Sequence, residues 1–74
     1  MKWKNYERTG EQYARAGKLS VAVLNTTGNT FRYRIHILDT LVLDEIIYAT
    51  SMTVAKRYAT YHTKKLVQNI FEAL

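Results

Sequence analysis

Residues 19–37 read LSVAVLNTTGNTFRYRIHI, and this stretch decides the fold. Apolar residues recur at every second position on both sides of a polar centre. On one face they are Leu19, Val21, Val23, Phe31, Tyr33, Ile35 and Ile37. A period of two is typical of strands that bury one face. The stretch therefore predicts an antiparallel β-hairpin.

The polar centre of this hairpin sets how the two strands pair. A loop over residues 26–28 would place Gly28 at the left-handed position that such loops require. The resulting pairs are all apolar: Val23 with Phe31, Val21 with Tyr33, and Leu19 with Ile35. Because turn geometry and face pattern agree, we expect this register.

A third strand is predicted at about residues 41–49, after a tight turn at 39–40. Either of the two short turn lengths brings a carboxylate, Asp44 or Glu45, opposite Ile35 on the core face. Such a position is unfavourable unless an extra residue corrects the phase of the strand. We therefore expect a bulge or an early strand end near Asp44 and Glu45.

A helix is predicted over residues 51–74. Thr50 or Ser51 supplies the hydroxyl that caps its first turn. At about 100° per residue, one apolar stripe forms, and it consists of Met52, Ala55, Ala59, Leu66, Ile70 and Ala73. The small Ala55 and Ala59 would let the helix approach the sheet closely. His62 falls at the edge of the stripe, so we expect it to be partly buried.

The whole chain, 1–74, is predicted to be one domain made of an N-terminal segment (1–17), antiparallel strands (18–49) and the helix (51–74). In the N-terminal segment we expect a short strand or extended segment near 3–6 and another near 13–16, with a short helix as the alternative. The fold class is α+β: a three- or four-stranded antiparallel sheet with one C-terminal helix packed on one face.

Composition limits the class of protein further. The chain has 74 residues, of which 47% are apolar, and this content argues against disorder. The absence of Cys excludes disulfides, thiolate zinc sites and Cys nucleophiles. No apolar run reaches the roughly 18 residues of a membrane span, and the first residues lack the apolar core of a signal peptide. We expect a cytoplasmic protein that contacts no membrane.

The net charge of +5 is unevenly distributed, and it yields two candidate partner-binding surfaces. The first is Arg32, Arg34 and His36, which alternate on the outer face of the middle strand. These side chains could contact phosphates or an acidic protein surface. The alternative is an ordinary exposed sheet face on which Asp44 or Glu45 pairs with the cations.

The second candidate surface lies on the outer face of the helix and comprises Arg57, Tyr61 and Lys64. Its alternative is an ordinary solvated helix face. The two surfaces lie on opposite sides of a two-layer fold, so one duplex cannot easily contact both. The charge therefore does not favour a nucleic acid over an acidic protein as the partner.

No catalytic or metal site is predicted. His36 and His62 lie in different elements and lack a second ligand at helical spacing. Asp44 and Glu45 are neighbours in a strand, so they point to opposite faces and cannot converge as an acid–base pair. No glycine-rich loop opens a helix after a strand. We expect a non-enzymatic protein without a cofactor.

The order of these elements resembles the small single-domain proteins of bacteriophages and prophages. The resemblance lies in Trp3, in YARAG at 13–17, in the hairpin, and in YATS at 48–51, which leads into VAKRYA at 54–59. It implies a protein in the host cytoplasm that docks on a host macromolecular machine, such as RNA polymerase, a nuclease or a CRISPR effector. It implies inhibition or modulation of a host protein or protein–nucleic-acid complex, by a monomer or a homodimer.

A second resemblance is to the double-stranded-RNA-binding domain, through SMTVAKRYA at 51–59. A third is to the three-stranded DNA-reading arms of phage integrases, where Arg32, Arg34 and His36 would enter the major groove. Both imply the alternative function, direct binding of DNA or RNA by the basic sheet face or the basic helix face.

Overall fold

A computed structural model describes residues 2–6 and 10–73 of the chain, with side chains described up to residue 69. The elements, in chain order, are β1 (Trp3–Tyr6), β2 (Glu11–Ala16), β3 (Leu19–Thr27), β4 (Thr30–Ile37), β5 (Thr40–Tyr48) and α1 (Met52–Ala73). The strands form one antiparallel sheet in the order β1-β2-β3-β4-β5. The α+β class with one C-terminal helix is confirmed.

The sheet has five strands, so the expected count of three or four was too low. The strands predicted near 3–6 and 13–16 do form, as β1 and β2, and they pair with each other. Gly17, with a φ of +60°, supplies the left-handed turn that joins β2 to β3. The expected number of strands was too low because the sequence of β1 and β2 shows no clear apolar period. Backbone pairing with neighbouring strands holds these short strands in the sheet.

The predicted register of the central hairpin was wrong by two residues. Its turn is Gly28-Asn29, and Asn25 donates side-chain hydrogen bonds across it to the carbonyls of Gly28 and Thr30, at 2.9 and 3.1 Å. The pairs are Val23 with Tyr33, Val21 with Ile35, and Leu19 with Ile37. An even shift keeps each side chain on its predicted face, so the buried face is unchanged.

The predicted bulge is present, but it lies at Val42 rather than at Asp44 and Glu45. The preceding turn is Leu38-Asp39, one residue earlier than expected, and both residues have positive φ, +52° and +63°. The bulge brings Leu43 opposite Ile35. Asp44 thereby lies on the outer face, and Glu45 lies opposite Tyr33 at the exposed sheet edge. Without the extra residue, the same turn would place Asp44 opposite Tyr33, so the bulge exchanges one carboxylate for another on the helix side of the sheet and moves Asp44 to the outer face.

Helix α1 packs across β3 and β4 on one face of the sheet. Ala55 and Ala59 are fully buried, which allows the close approach that the sequence predicts. Ser51 is the cap, because the backbone N–H of Val54 donates to its Oγ at 3.2 Å. Of the predicted stripe, the side chains of Ile70 and Ala73 lie outside the described part, as does Leu74 at the predicted helix end.

A hydroxyl pair joins the helix to the sheet inside the core. The Tyr33 and Thr63 hydroxyls lie 3.0 Å apart, and both residues are fully buried. Burial raises the pKa of Tyr33 above its ordinary range, so its phenol stays protonated. The apolar stripe did not predict Thr63 as a core residue. Thr is a polar residue type, and its partner Tyr33 is distant in sequence.

We searched the described part of the chain for a helix long and apolar enough to cross a membrane, and found none.

Enlarging Ala59 should destabilise the fold. For Ala59→Leu we expect the free energy of unfolding to fall by about 1–3 kcal/mol, because the larger side chain separates α1 from the sheet. The control, Val54→Leu, enlarges a 41% exposed position of the same helix, and it should change stability by less than about 0.5 kcal/mol. Urea denaturation measures both, and equal stabilities would contradict the close approach.

The hydroxyl pair should show strong coupling in a double-mutant cycle. Thr63→Val leaves the Tyr33 hydroxyl buried without its partner, which should cost about 1–3 kcal/mol of unfolding free energy. Adding Tyr33→Phe removes the orphaned hydroxyl, so the double variant should be more stable than the sum of the single effects. Simple additivity in urea denaturation would contradict this prediction.

Candidate functional site

The helix covers only one face of the sheet, and we call the other the open face. It presents Tyr6, Tyr13, Arg15, Arg32, Arg34, His36, Asp44, Ile46 and Tyr48. The first predicted surface, Arg32, Arg34 and His36, lies here as expected from strand alternation. The open face also carries large apolar side chains that the sequence analysis had not assigned to it.

Three of these large side chains are exposed, since no element in the described part of the chain covers them. Tyr6 is 51% exposed at one edge of the sheet, and Ile46 and Tyr48 are 53% and 83% exposed at the other. Between them lie Ala22, which is nearly buried, and Leu24, which is partly buried. The open face therefore combines apolar area with charge, instead of being uniformly polar.

Two of the three arginines on the open face, Arg32 and Arg34, are held by carboxylates. Arg32 donates from Nε and a terminal nitrogen to the two oxygens of Asp44, at 2.9 and 2.6 Å. Arg34 donates to Glu11 at 2.7 Å. The alternative reading, in which Asp44 pairs with these cations, therefore holds for Arg32. Glu11 was missed as a partner because it lies 23 residues from Arg34 and meets it only through the pairing of β2 with β3.

The ion pair with Arg32 alters the titration of Asp44. Hydrogen bonding from the guanidinium, opposed by some desolvation, lowers the pKa of the Asp44 carboxyl. The same hydrogen bond raises the pKa of Arg32, so both groups stay charged at neutral pH. Because the pair is largely exposed, its contribution is to orient the side chains more than to stabilise the fold.

His36 lies in a shallow depression of about 370 Å³ on the open face. Tyr13, Arg15 and Arg34 share this depression, and the Arg15 guanidinium lies 5.9 Å from the centre of the Tyr13 ring. Two of the three residues predicted for this surface, Arg34 and His36, thus meet in one depression. Arg32 pairs away from them, toward β5.

The second predicted surface lies beside a groove between β1 and α1, which we call the β1–α1 groove. Its volume is about 440 Å³, and its lining is Trp3, Thr53, Lys56, Arg57, Thr60, Tyr61 and Lys64. All three predicted residues, Arg57, Tyr61 and Lys64, therefore line one concave site. Trp3 and Lys56 were not predicted to join them, since only the packing of β1 brings Trp3 to the helix.

Aromatic rings continue along the helix from this groove. The rings of Tyr58 and His62 stack at 4.0 Å, and Tyr61 meets His62 edge-on at 5.4 Å. The Lys65 ammonium lies 4.9 Å from the centre of the Tyr61 ring. His62 is exposed, so the expectation of a partly buried residue was wrong. It stacks on the side of Tyr58 instead of entering the core.

The two candidate surfaces do not merge, because the open face and the β1–α1 groove lie on opposite sides of the sheet. Among the described residues, no group of three or more His, Asp or Glu side chains could hold a metal ion. Comparison of the chain with protein-family models, curated proteins and solved structures found no match. Function must therefore be argued from these two surfaces.

The Arg32–Asp44 pair predicts an acid titration that carbon-13 NMR can follow. The ionised carboxylate is the stabilised form, so the stabilisation is present above the ordinary Asp pKa of about 3.9 and is lost as pH falls through the lowered value. Arg32→Gln should return the Asp44 titration toward its ordinary range. Arg34 affects Asp44 less than Arg32 does, so Arg34→Gln should leave most of the lowering of the Asp44 pKa. Equal effects of the two variants would contradict the pairing of Arg32 with Asp44.

Proposed function

We propose that this chain is a small, non-enzymatic binding protein that docks on a protein partner through the open face. The observation that carries the proposal is that exposed apolar side chains, Tyr6, Ile46 and Tyr48, flank two ion-paired arginines on a sheet face that the helix leaves uncovered. Apolar and aromatic groups beside arginines are typical of the energetically important centres of protein interfaces.

The ion pairs support this proposal because they orient the arginines before a partner arrives. Arg32 is held at both carboxylate oxygens of Asp44, and the Arg34–Glu11 pair is half-buried. Less side-chain freedom is then lost on binding, which favours affinity. A guanidinium held in this way still offers its remaining N–H groups and its flat face to a partner.

The same pairs argue against phosphate as the main ligand of the open face. Asp44 and Glu11 place negative charge beside the two arginines that would have to contact a phosphate backbone. Affinity for nucleic acid depends on protein cations that displace the counterions of the phosphates. An arginine that is already paired with a carboxylate contributes less to this affinity. The open face therefore suits a protein surface of mixed apolar and polar character.

The nature of the partner is proposed from the resemblance to small bacteriophage and prophage proteins. That resemblance favours a host protein or protein–nucleic-acid complex in the cytoplasm, such as RNA polymerase, a nuclease or a CRISPR effector. Docking on such a machine inhibits or modulates it by occupying a surface, and this action requires no catalytic group or cofactor.

The open-face variant Ile46→Thr/Tyr48→Ser should lose partner binding. Both changes remove exposed apolar area while keeping residues that strands tolerate. We expect the protein to capture a specific partner from nuclease-treated bacterial lysate, and the double variant to bind that purified partner at least about 30-fold more weakly in calorimetry. The matched control, Val54→Thr, removes apolar area from the helix and should bind normally.

In the binding experiment, two results would contradict the proposal. One is capture of no specific protein from the nuclease-treated lysate. The other is equal affinity of the open-face variant and the wild type for the captured partner. If Ile46→Thr/Tyr48→Ser instead abolishes self-association in sedimentation at two concentrations, the open face is a homodimer interface and the docking proposal fails.

A further inference from the structure

The β1–α1 groove is a second concave surface, on the opposite side of the sheet from the open face. The groove is formed where β1, at the edge of the sheet, faces successive turns of α1. Lys56 and Arg57 lie at one end, Lys64 lies about 10 Å further along the helix axis, and Tyr61 lies between them. Trp3 forms the opposite wall. Charge and aromatic surface therefore alternate along one concavity.

The charge of this groove differs from that of the open face. Among the described residues, its lining contains three cations and no carboxylate. Within the described part of the chain, Arg57 and Lys64 form no ion pair, and Lys56 donates to the neutral amide of Gln12 at 2.8 Å. The positive potential of the groove is thus not cancelled locally, and its charge is complementary to a polyanion.

The aromatic side chains add a second kind of recognition. Trp3 packs against the hydrophobic core, so its ring is supported in place while it lines the groove. Tyr61 is 56% exposed, and the Lys65 ammonium near its ring brings a further cation beside the site. Rings that are held and partly exposed offer faces on which an unpaired base can stack.

The combination points to one class of ligand. A small anion would use the cations but not the rings, and an acidic peptide would not use ring faces for stacking. A duplex presents phosphates and base edges but hides its base faces inside the helix, so the rings of the groove would have no face to stack on. A single strand offers phosphates and free base faces at once, and sites for single strands combine a basic groove with stacking rings.

We infer that the β1–α1 groove binds a single strand of nucleic acid, with phosphates on Arg57 and Lys64 and a base against Trp3 and Tyr61. This site does not depend on the docking function proposed above, because it lies on the opposite side of the sheet. A partner that is a protein–nucleic-acid complex could occupy both surfaces.

The test uses Trp3 as a built-in reporter, since it is the only Trp of the chain. The full chain is titrated with a fluorescent 12-mer of deoxythymidine, and anisotropy and Trp emission are both recorded at several salt concentrations. We expect binding at low salt, quenching of Trp3, and a weaker response to a duplex of the same length. A poly-glutamate competitor should displace the oligonucleotide poorly.

Variants that lose the same charge at different places distinguish binding in the groove from general electrostatic attraction to the protein. Arg57→Gln/Lys64→Gln should weaken binding and flatten the plot of log affinity against log salt by about 1.4, or about 0.7 for each lost phosphate contact. The single change Lys18→Gln removes a charge outside both surfaces and should leave both quantities nearly unchanged, whereas Lys64→Gln alone, with the same loss of charge, should lower both. Tyr61→Leu should weaken binding by about 5- to 100-fold while the charge stays constant.

In the oligonucleotide titrations without competitor, four results would overturn the inference. They are no binding at low salt, equal losses in Lys18→Gln and Lys64→Gln, duplex binding as tight as that of the single strand, and binding without any change in Trp3 emission. Displacement by poly-glutamate at matched charge concentration would also overturn it, because the groove would then be a site for an acidic protein segment.

Discussion

The structure depends on the contact between one helix and one face of a five-stranded sheet. Ala55 and Ala59 are fully buried, and their small side chains let α1 lie close over Tyr33, whose hydroxyl meets Thr63 inside the core. A single helix can cover only one face of a sheet. The same contact that creates the core therefore leaves the opposite face open, and no further element of residues 2–6 and 10–73 covers it.

This arrangement separates the charges of the chain into two different environments. On the open face, Arg32 and Arg34 are paired with carboxylates from neighbouring strands and lie among exposed apolar side chains. In the β1–α1 groove, Arg57 and Lys64 lie beside aromatic rings, and none of the described residues in the lining is a carboxylate. The net charge of +5 thus says little by itself, since the neighbours of each cation decide which partners it suits.

Much of the fold followed from local pattern. Alternation in 19–37 identified the faces of the central hairpin, and helical periodicity identified the inner side of α1. The register was wrong because several short turns fit the same alternation, and hydrogen bonds from Asn25 select one of them. The bulge was expected from the carboxylates of β5, but its place at Val42 depends on the turn before it, which a local pattern does not determine.

The sequence by itself determined the α+β class, which residues of the hairpin face the core, and that Arg57, Tyr61 and Lys64 share a helix face. These properties depend on periodicity over a few residues. Only the tertiary structure decided that Glu11 pairs with Arg34 and that Trp3 joins the helix to form a groove. Those contacts link residues far apart along the chain, and they exist because strand pairing and helix packing bring distant segments together.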